Sequence, residues 1–256
     1  MKKVITYASY FFDYLKHGDF VSIISAIKYV LNKSSHGSDR IIRTSLGTFF
    51  CRKNTNDFQF ANYYYEWGVK KYLLDHRNEF TLFIDGGACI GSYSILLSRF
   101  KIPCIAFEPI PANFGVLEKN IELNNLRSMI TPFPLGLGDR NSMEQFTFDP
   151  INTGASHCGN ETDLPGCVAE ISTFDSLIGK LNISLTEKIM FKLDIEGMEV
   201  EAILGAAGFI MKYPHITFIV EDKHTGQNPI KNTLNKLASF EFGEIDEFNF
   251  YARKIV

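Results

Sequence analysis

From residue 80 onward, short apolar runs rich in β-branched residues alternate with stretches of helical periodicity. FTLFID (80–85) precedes a helical stretch over 91–99, and PCIAFE (103–108) precedes one over 111–124. MITPFPLGL (129–137) follows. IMFKLDIE (189–196) then leads into a helix over 198–211, and HITFIVED (215–222) into one over 229–239. Strands fed by helices of about 10–15 residues need crossover connections, which predicts an α/β fold with a parallel sheet covered on both faces. The last stretch, FEFGEIDEFNFYARKIV, reads as two antiparallel edge strands joined by a short turn. Segment 141–172 breaks the rhythm with strand-like SMEQFTFD, the polar loop NTGASHCGN and strand-like GCVAEIS. It is expected to be an insertion between the two halves of the sheet.

The chain before residue 80 follows other rules. Residues 4–31 place Ile5, Phe11, Phe12, Leu15, Val21, Ile23, Ile24, Ile27 and Leu31 at near-helical spacing, which predicts two short amphipathic helices separated near Gly18. They are expected either to pack on the main domain or to form a foot on a membrane or partner, the latter favoured by Tyr7, Tyr10 and Tyr14. KSSHGSDR (33–40) reads as a linker, so 1–40 forms an N-terminal helical extension. Within 41–79, IIRTSLGTFFCRK alternates like a hairpin around Gly47, and FQFANYYYEWGVKKYLL (58–74) reads as one helix bearing the only tryptophan, Trp67. The core domain spans 80–256.

Composition narrows the class. An apolar share of 45% excludes a disordered chain. With 26 Lys and Arg against 29 Asp and Glu, the net charge of −3 argues against a nucleic-acid partner. No run reaches the roughly 18 apolar residues of a transmembrane helix. The opening MKKVITYASYFFDYL is interrupted by Asp13 and Lys16, which argues against a signal peptide. Cys51, Cys89, Cys104, Cys158 and Cys167 form no C-x-x-C pair, so they read as reduced thiols of a cytoplasmic protein.

Chemistry concentrates at three strand ends. In FIDGGACIGSYS (83–94), a buried strand ends in Asp85, a turn of Gly86, Gly87 and Ala88 follows, and a helix starts near Gly91. Such a turn lets the backbone approach a ligand, and the helix start offers free N–H groups. The spacing is not G-x-G-x-x-G, and a strand-ending acid would repel a pyrophosphate. It suits a cofactor bearing an ammonium or sulfonium, which favours S-adenosylmethionine over NAD. Glu108 ends the next strand, 23 residues after Asp85, where an acid can accept from ribose hydroxyls; Pro109 and Pro111 set the following turn and helix. In FKLDIEGMEVEAILGA, Asp194 and Glu196 lie at or just past a strand end, with Glu199 in the first turn of the helix. The next strand brings Glu221, Asp222 and nearby His224 to the same rim. Acids converging there could orient and deprotonate an acceptor hydroxyl, or hold a divalent metal.

DGGACIG, FEPIP and KLDIEGME, in that order, resemble the FkbM-type family of S-adenosylmethionine-dependent methyltransferases. The resemblance runs from about residue 44 to 254 and includes STFDSLI (172–178) and the terminal NFYAR. It implies a Rossmann-like class I methyltransferase fold, with a mostly parallel seven-stranded sheet and an antiparallel C-terminal edge strand. It also implies O-methylation of a small molecule, glycan or lipid. Asp85, Gly86, Gly87, Ala88 and Gly91 would then cradle the methionine end of the cofactor, Glu108 and Pro109 the ribose, and Gly138 and Asp139 the adenine. Asp194 is the first candidate for orienting the acceptor, followed by Glu196, Glu221 and His224. Cys89 departs from the family pattern, which has asparagine or aspartate there.

Three alternatives stay open. A divalent metal between Asp194 and Glu221 or Asp222 would make the reaction metal-assisted. Cys89 could mark a cofactor-binding scaffold without catalysis. A nucleic-acid methyltransferase lacks support, because the chain has neither a basic cluster nor an N-P-P-Y-like tetrapeptide. The acceptor itself is not legible; NTGASHCGN and Trp67 with its tyrosine neighbours are candidate walls for a sugar ring.

Overall fold

The computed structural model describes residues 2–159 and 165–256, with side chains from residue 8 onward. Two helices, α1 (Lys2–Lys16) and α2 (Phe20–Asn32), open the chain. Asp19 caps α2, its carboxylate accepting from Ser22 N at 3.1 Å, and Gly18 with φ +70° makes the turn between the helices. Strands β1 (Arg40–Arg43) and β2 (Thr48–Cys51) form the expected hairpin. It is fastened to the core where Asn120 and Asn124 accept from Phe50 N and Thr48 N.

The expected single helix over 58–74 is two, α3 (Asp57–Phe60) and α4 (Trp67–Asp75). The break has a local cause. Asn62 Oδ1 accepts from Tyr64 N at 2.9 Å, an alternative to helical pairing, and Glu66 is left-handed at φ +49°. Lys70, fully buried, donates to the freed carbonyls of Asn62 and Tyr65.

The core then alternates as its sequence predicts. It runs β3 (Leu82–Gly86), α5 (Ser92–Ser98), β4 (Cys104–Phe107), α6 (Pro111–Leu123) and β5 (Ile130–Phe133). The apolar run 129–137 divides at Pro134: β6 (Leu135–Leu137) leaves for a second sheet with β7 (Ser142–Thr147), β8 (His157–Cys158) and β9 (Gly166–Ser172), in the order β6-β9-β7-β8. This smaller sheet holds the insertion. After α7 (Phe174–Leu181) come β10 (Ile189–Leu193), α8 (Glu199–Leu204), α9 (Ala207–Lys212) and β11 (Ile216–Glu221). The chain ends with α10 (Gln227–Leu237), β12 (Phe240–Glu244) and β13 (Asn249–Lys254). The expected helix over 198–211 thus divides near Gly205, where an added Cβ would lie 1.9 Å from the Gly138 carbonyl oxygen.

The main sheet has seven strands in the order β12-β13-β11-β10-β3-β4-β5. All are parallel but β13, which runs antiparallel between β11 and β12. Successive side chains on a strand point to opposite faces, and each face has its own core. Phe83, Met190 and Ile219 fill one; Ile84, Phe191 and Phe218 fill the other. Phe191 stacks on Phe218 at 5.3 Å, and full burial of each such ring contributes about 2–3 kcal/mol. The chain moves outward from β3 through β4 and β5, then returns to the other side of β3 with β10. That reversal is the switch point at which open α/β sheets bind ligands.

Tyr14 is not the exposed aromatic expected of the extension. It is 1% exposed and donates to Phe58 O, while the side chain of Tyr7 lies outside the described ones. No described helix is long and apolar enough to cross a membrane.

Candidate active site

The reversal at β3 and β10 opens a cleft beyond their carboxyl ends. Two cavities meet there and share Gly87, Cys89, Gly154, Asp194 and Glu196. The first runs over Glu108, Pro109, Gly136, Leu137 and Ile171; the second runs under Tyr65, Glu66, Tyr93, Lys192 and Glu221.

The glycine turn is shaped by close approach. Gly87 has φ +81°, and a Cβ there would lie 1.9 Å from the Asp194 carbonyl oxygen. Cys89 also sits left-handed, at φ +48°, a region that asparagine tolerates better than cysteine. Its backbone N–H donates to Glu108 Oε2 at 2.8 Å, while Ile110 N donates to Oε1 at 2.9 Å. Glu108 therefore ties the first turn to the second, and burial pushes its carboxyl up to about 7 despite those bonds.

Asp85 lies below the turn, wholly buried, and accepts from Ser94 Oγ at 2.6 Å. Its Oδ1 has no hydrogen-bond partner, and burial raises its carboxyl. Lys192 stands beside Asp85 in the register of β10 on β3 and donates to Asp194 Oδ2 at 2.7 Å. Burial lowers the pKa of this lysine, but Asp194, Asp85 and Glu66 together outweigh it and hold the value above the ordinary one. Glu66 accepts from Tyr93 Oη at 2.6 Å and is itself raised by burial and by Asp194.

Past β10, Glu196 is left-handed at φ +52° and lies 2.7 Å from His224 Nε2. Buried Glu199 holds this loop, accepting from Ile195 N, Gly197 N and the Thr225 hydroxyl. Burial and then Asp194 push Glu196 up to about 7 and Glu221 up to about 8. The ligand atoms of Glu196, Glu221 and His224 lie within 4.8 Å of one another, so this trio could hold a cation.

Of the residues singled out from the sequence, Gly87, Ala88, Glu108, Pro109, Asp194, Glu196 and Glu221 line the cleft. Asp85, Gly86 and Gly91 sit behind it, and His224 reaches it through Glu196. Gly138 and Asp139 do not line it. Gly138 packs against Ile171 and Gly205, and Asp139 borders a separate depression beside Arg140. The cleft is lined there by the preceding Gly136 and Leu137. Trp67 does not line it either; its neighbours Tyr65 and Glu66 do.

Sequence reasoning passed over Lys192, Glu66 and the clasp on the insertion. Asp57, fully buried, accepts from Arg52 through both oxygens and from Thr153 Oγ1 at 2.9 Å. Asn56 pairs with Asn152, and Asn113 with Thr153 O. These bonds fasten residues 152–155 over the cleft, where Asn152, Gly154 and Ala155 form part of its wall. Asn160, the last residue of the polar loop, lies outside the described residues. A positively charged residue before a strand-ending acid, as in KLD, was the available signal for Lys192.

The strand order with β13 reversed, and the cleft at the switch point, define a Rossmann-like fold of the class I methyltransferase type. The chain belongs to the family described as Vibrio cholerae RfbT protein, whose model matches residues 22–229. It is 26% identical over 144 residues to "Methyltransferase 1" of Beauveria bassiana, covering 48% of this chain and 57% of that protein. Solved structures similar to it include the methyltransferase FkbM of Methylobacillus flagellatus, at 19% identity and TM-score 0.48 over 68% of this chain and 44% of that one. An O-methyltransferase of Bacillus cereus in complex with SAH matches at 12% identity and TM-score 0.41, over 74% of this chain and 80% of that one.

Proposed function

We propose that this chain is an S-adenosylmethionine-dependent O-methyltransferase acting on a hydroxyl of a sugar, glycan, lipid or related small natural product. The observation that carries the reading is the pairing at the cleft. Glu108 joins both turns beside the Gly87 cradle, and three further carboxylates, Asp194, Glu196 and Glu221, line the same space. The cradle fits such a cofactor: it admits no Cβ at Gly87, and the surrounding donor set is rich in carboxyl groups, which suit a sulfonium and an ammonium. When bound, the cofactor supplies a methyl group on a positively charged sulfur.

The chain's own residues divide the remaining work. Lys192 occupies one oxygen of Asp194, which suits Asp194 to orienting an acceptor rather than taking its proton. Glu196, pushed up to about 7, is matched to receiving a proton near neutrality, with His224 at 2.7 Å to pass it toward solvent. The insertion residues 152–155 wall the cleft on the side of the cradle. A cytoplasmic location, expected from the sequence, is part of this reading.

The test is transfer of labelled methyl from S-adenosylmethionine to a panel of sugars, glycans and lipid-linked hydroxyl compounds. A labelled ether product supports the reading. Binding of the cofactor with no transfer to any acceptor would favour the scaffold alternative. The cluster of Glu196, Glu221 and His224 favours a second, metal-assisted reading, in which these residues rather than Asp194 would hold the ion and polarise the acceptor oxygen. Loss of transfer on chelation and its return with Mn²⁺ would establish that version.

A further inference from the structure

The extension presents its apolar residues to solvent. Along α2, Phe20, Ile24, Ile27 and Leu31 recur on one helical face, and that face points outward. Ile24 is 52% exposed, Ile27 58% and Leu31 78%. The opposite face carries Ser22, Ser25 and Tyr29, and it is this polar side that packs inward, with Ser22 at 0% and Ser25 at 2%. A helix stabilising a water-soluble fold by burial would be turned the other way. On α1, Phe11, Phe12 and Leu15 are likewise exposed, while Tyr14 faces the core.

The charges on this pair are sorted as well. Lys16, Lys28 and Lys33 are exposed. Both acids are turned inward: Asp13 accepts from Ser45 N and Tyr63 N, and Asp19 pairs with Arg40 at 2.6 Å. The exposed face thus combines contiguous apolar side chains with basic heads and no exposed acid on either helix. Docked on a second copy of the chain, it would set lysines against lysines. At 15 and 13 residues, the helices are too short to span a bilayer.

We propose that α1 and α2 form an interfacial foot that docks this chain on an anionic lipid surface, with the aliphatic face in the acyl boundary and the lysines among the headgroups. The foot is joined to the cleft wall, since Tyr14 bonds Phe58 O and Asn62 bonds Tyr10 O, next to cleft-lining Phe60. This inference is independent of the chemistry assigned to the cleft.

The test is co-sedimentation of the full chain with vesicles of phosphatidylcholine alone and of phosphatidylcholine with phosphatidylglycerol. Sedimentation with the anionic vesicles, weakened by salt, is expected. The variant Ile24→Gln/Ile27→Gln/Leu31→Gln should lower the partition coefficient at least about 100-fold. Lys16→Gln/Lys28→Gln/Lys33→Gln should lower it by about 100-fold on anionic vesicles only. Titration of S-adenosylmethionine into both variants should match the wild type, which separates failure of the foot from failure of the cleft reading. A wild type that stays in the supernatant, binds both vesicle types equally, or forms a dimer dissociated by the apolar variant without binding vesicles would overturn the proposal.

Discussion

Lys192 Nζ lies 2.7 Å from Asp194 Oδ2, and this lysine is only 2% exposed. The pair stands at the end of β10 beside two further acids, buried Asp85 and partly buried Glu66, whose charges also act on the ammonium. One cation thus holds together the acids of the sheet's central seam. Lys192→Met should leave Asp85 and Asp194 without this countercharge and cost about 3–5 kcal/mol of stability. Urea unfolding of the two proteins measures this directly.

Glu221 should impose a pH dependence on stability. Its carboxyl is raised by burial from 4.5 to about 8, so below about 4.5 it is protonated in both folded and unfolded chains and costs nothing. As pH rises toward about 8, the unfolded chain releases the proton first and the folded state loses stability. Glu221→Gln should therefore match the wild type at the acid end and exceed it by about 1–2 kcal/mol at the alkaline end, solvent contact reducing the full effect. Thermal melts of both proteins across that range give the difference; a constant offset would refute it.

Cys89 adopts a left-handed backbone that asparagine accepts more readily. Cys89→Asn should stabilise the chain by about 0.5–1 kcal/mol, because relief of backbone strain outweighs placing a carboxamide at this partly exposed, cleft-lining position. Denaturant midpoints at equal m-values would show it.

The sequence made the alternating core readable because each strand and helix carries its own period, and the strand-end acids stand out because an acid is costly at the end of a buried strand. Glu108 and Glu196 stand out that way, and both line the cleft. Where local chemistry overrides periodicity, the reading failed. Asn62 and Glu66 break a helix that the apolar spacing extends through them, and Pro134 hands one apolar run to two sheets. Gly138 and Asp139 follow from the family resemblance alone; Gly138 packs against Gly205, Asp139 borders a separate depression, and neither lines the cleft. The clasp of Arg52, Asp57 and Thr153 joins residues about a hundred positions apart, and no local pattern encodes such a contact. The inverted face of α2 was visible as periodicity, but periodicity does not tell which side meets the core.

The most direct measurement is calorimetric titration of S-adenosylmethionine into the folded chain and into Glu108→Ala. Glu108 joins the two turns through backbone bonds to Cys89 and Ile110 and lines the cleft beside Gly87. Saturable binding by the wild type is expected, weakened about 30- to 100-fold in the variant by loss of charge-assisted hydrogen bonds. A well-folded wild type that releases no heat and shows no binding, or a variant that binds as tightly as the wild type, would contradict the account.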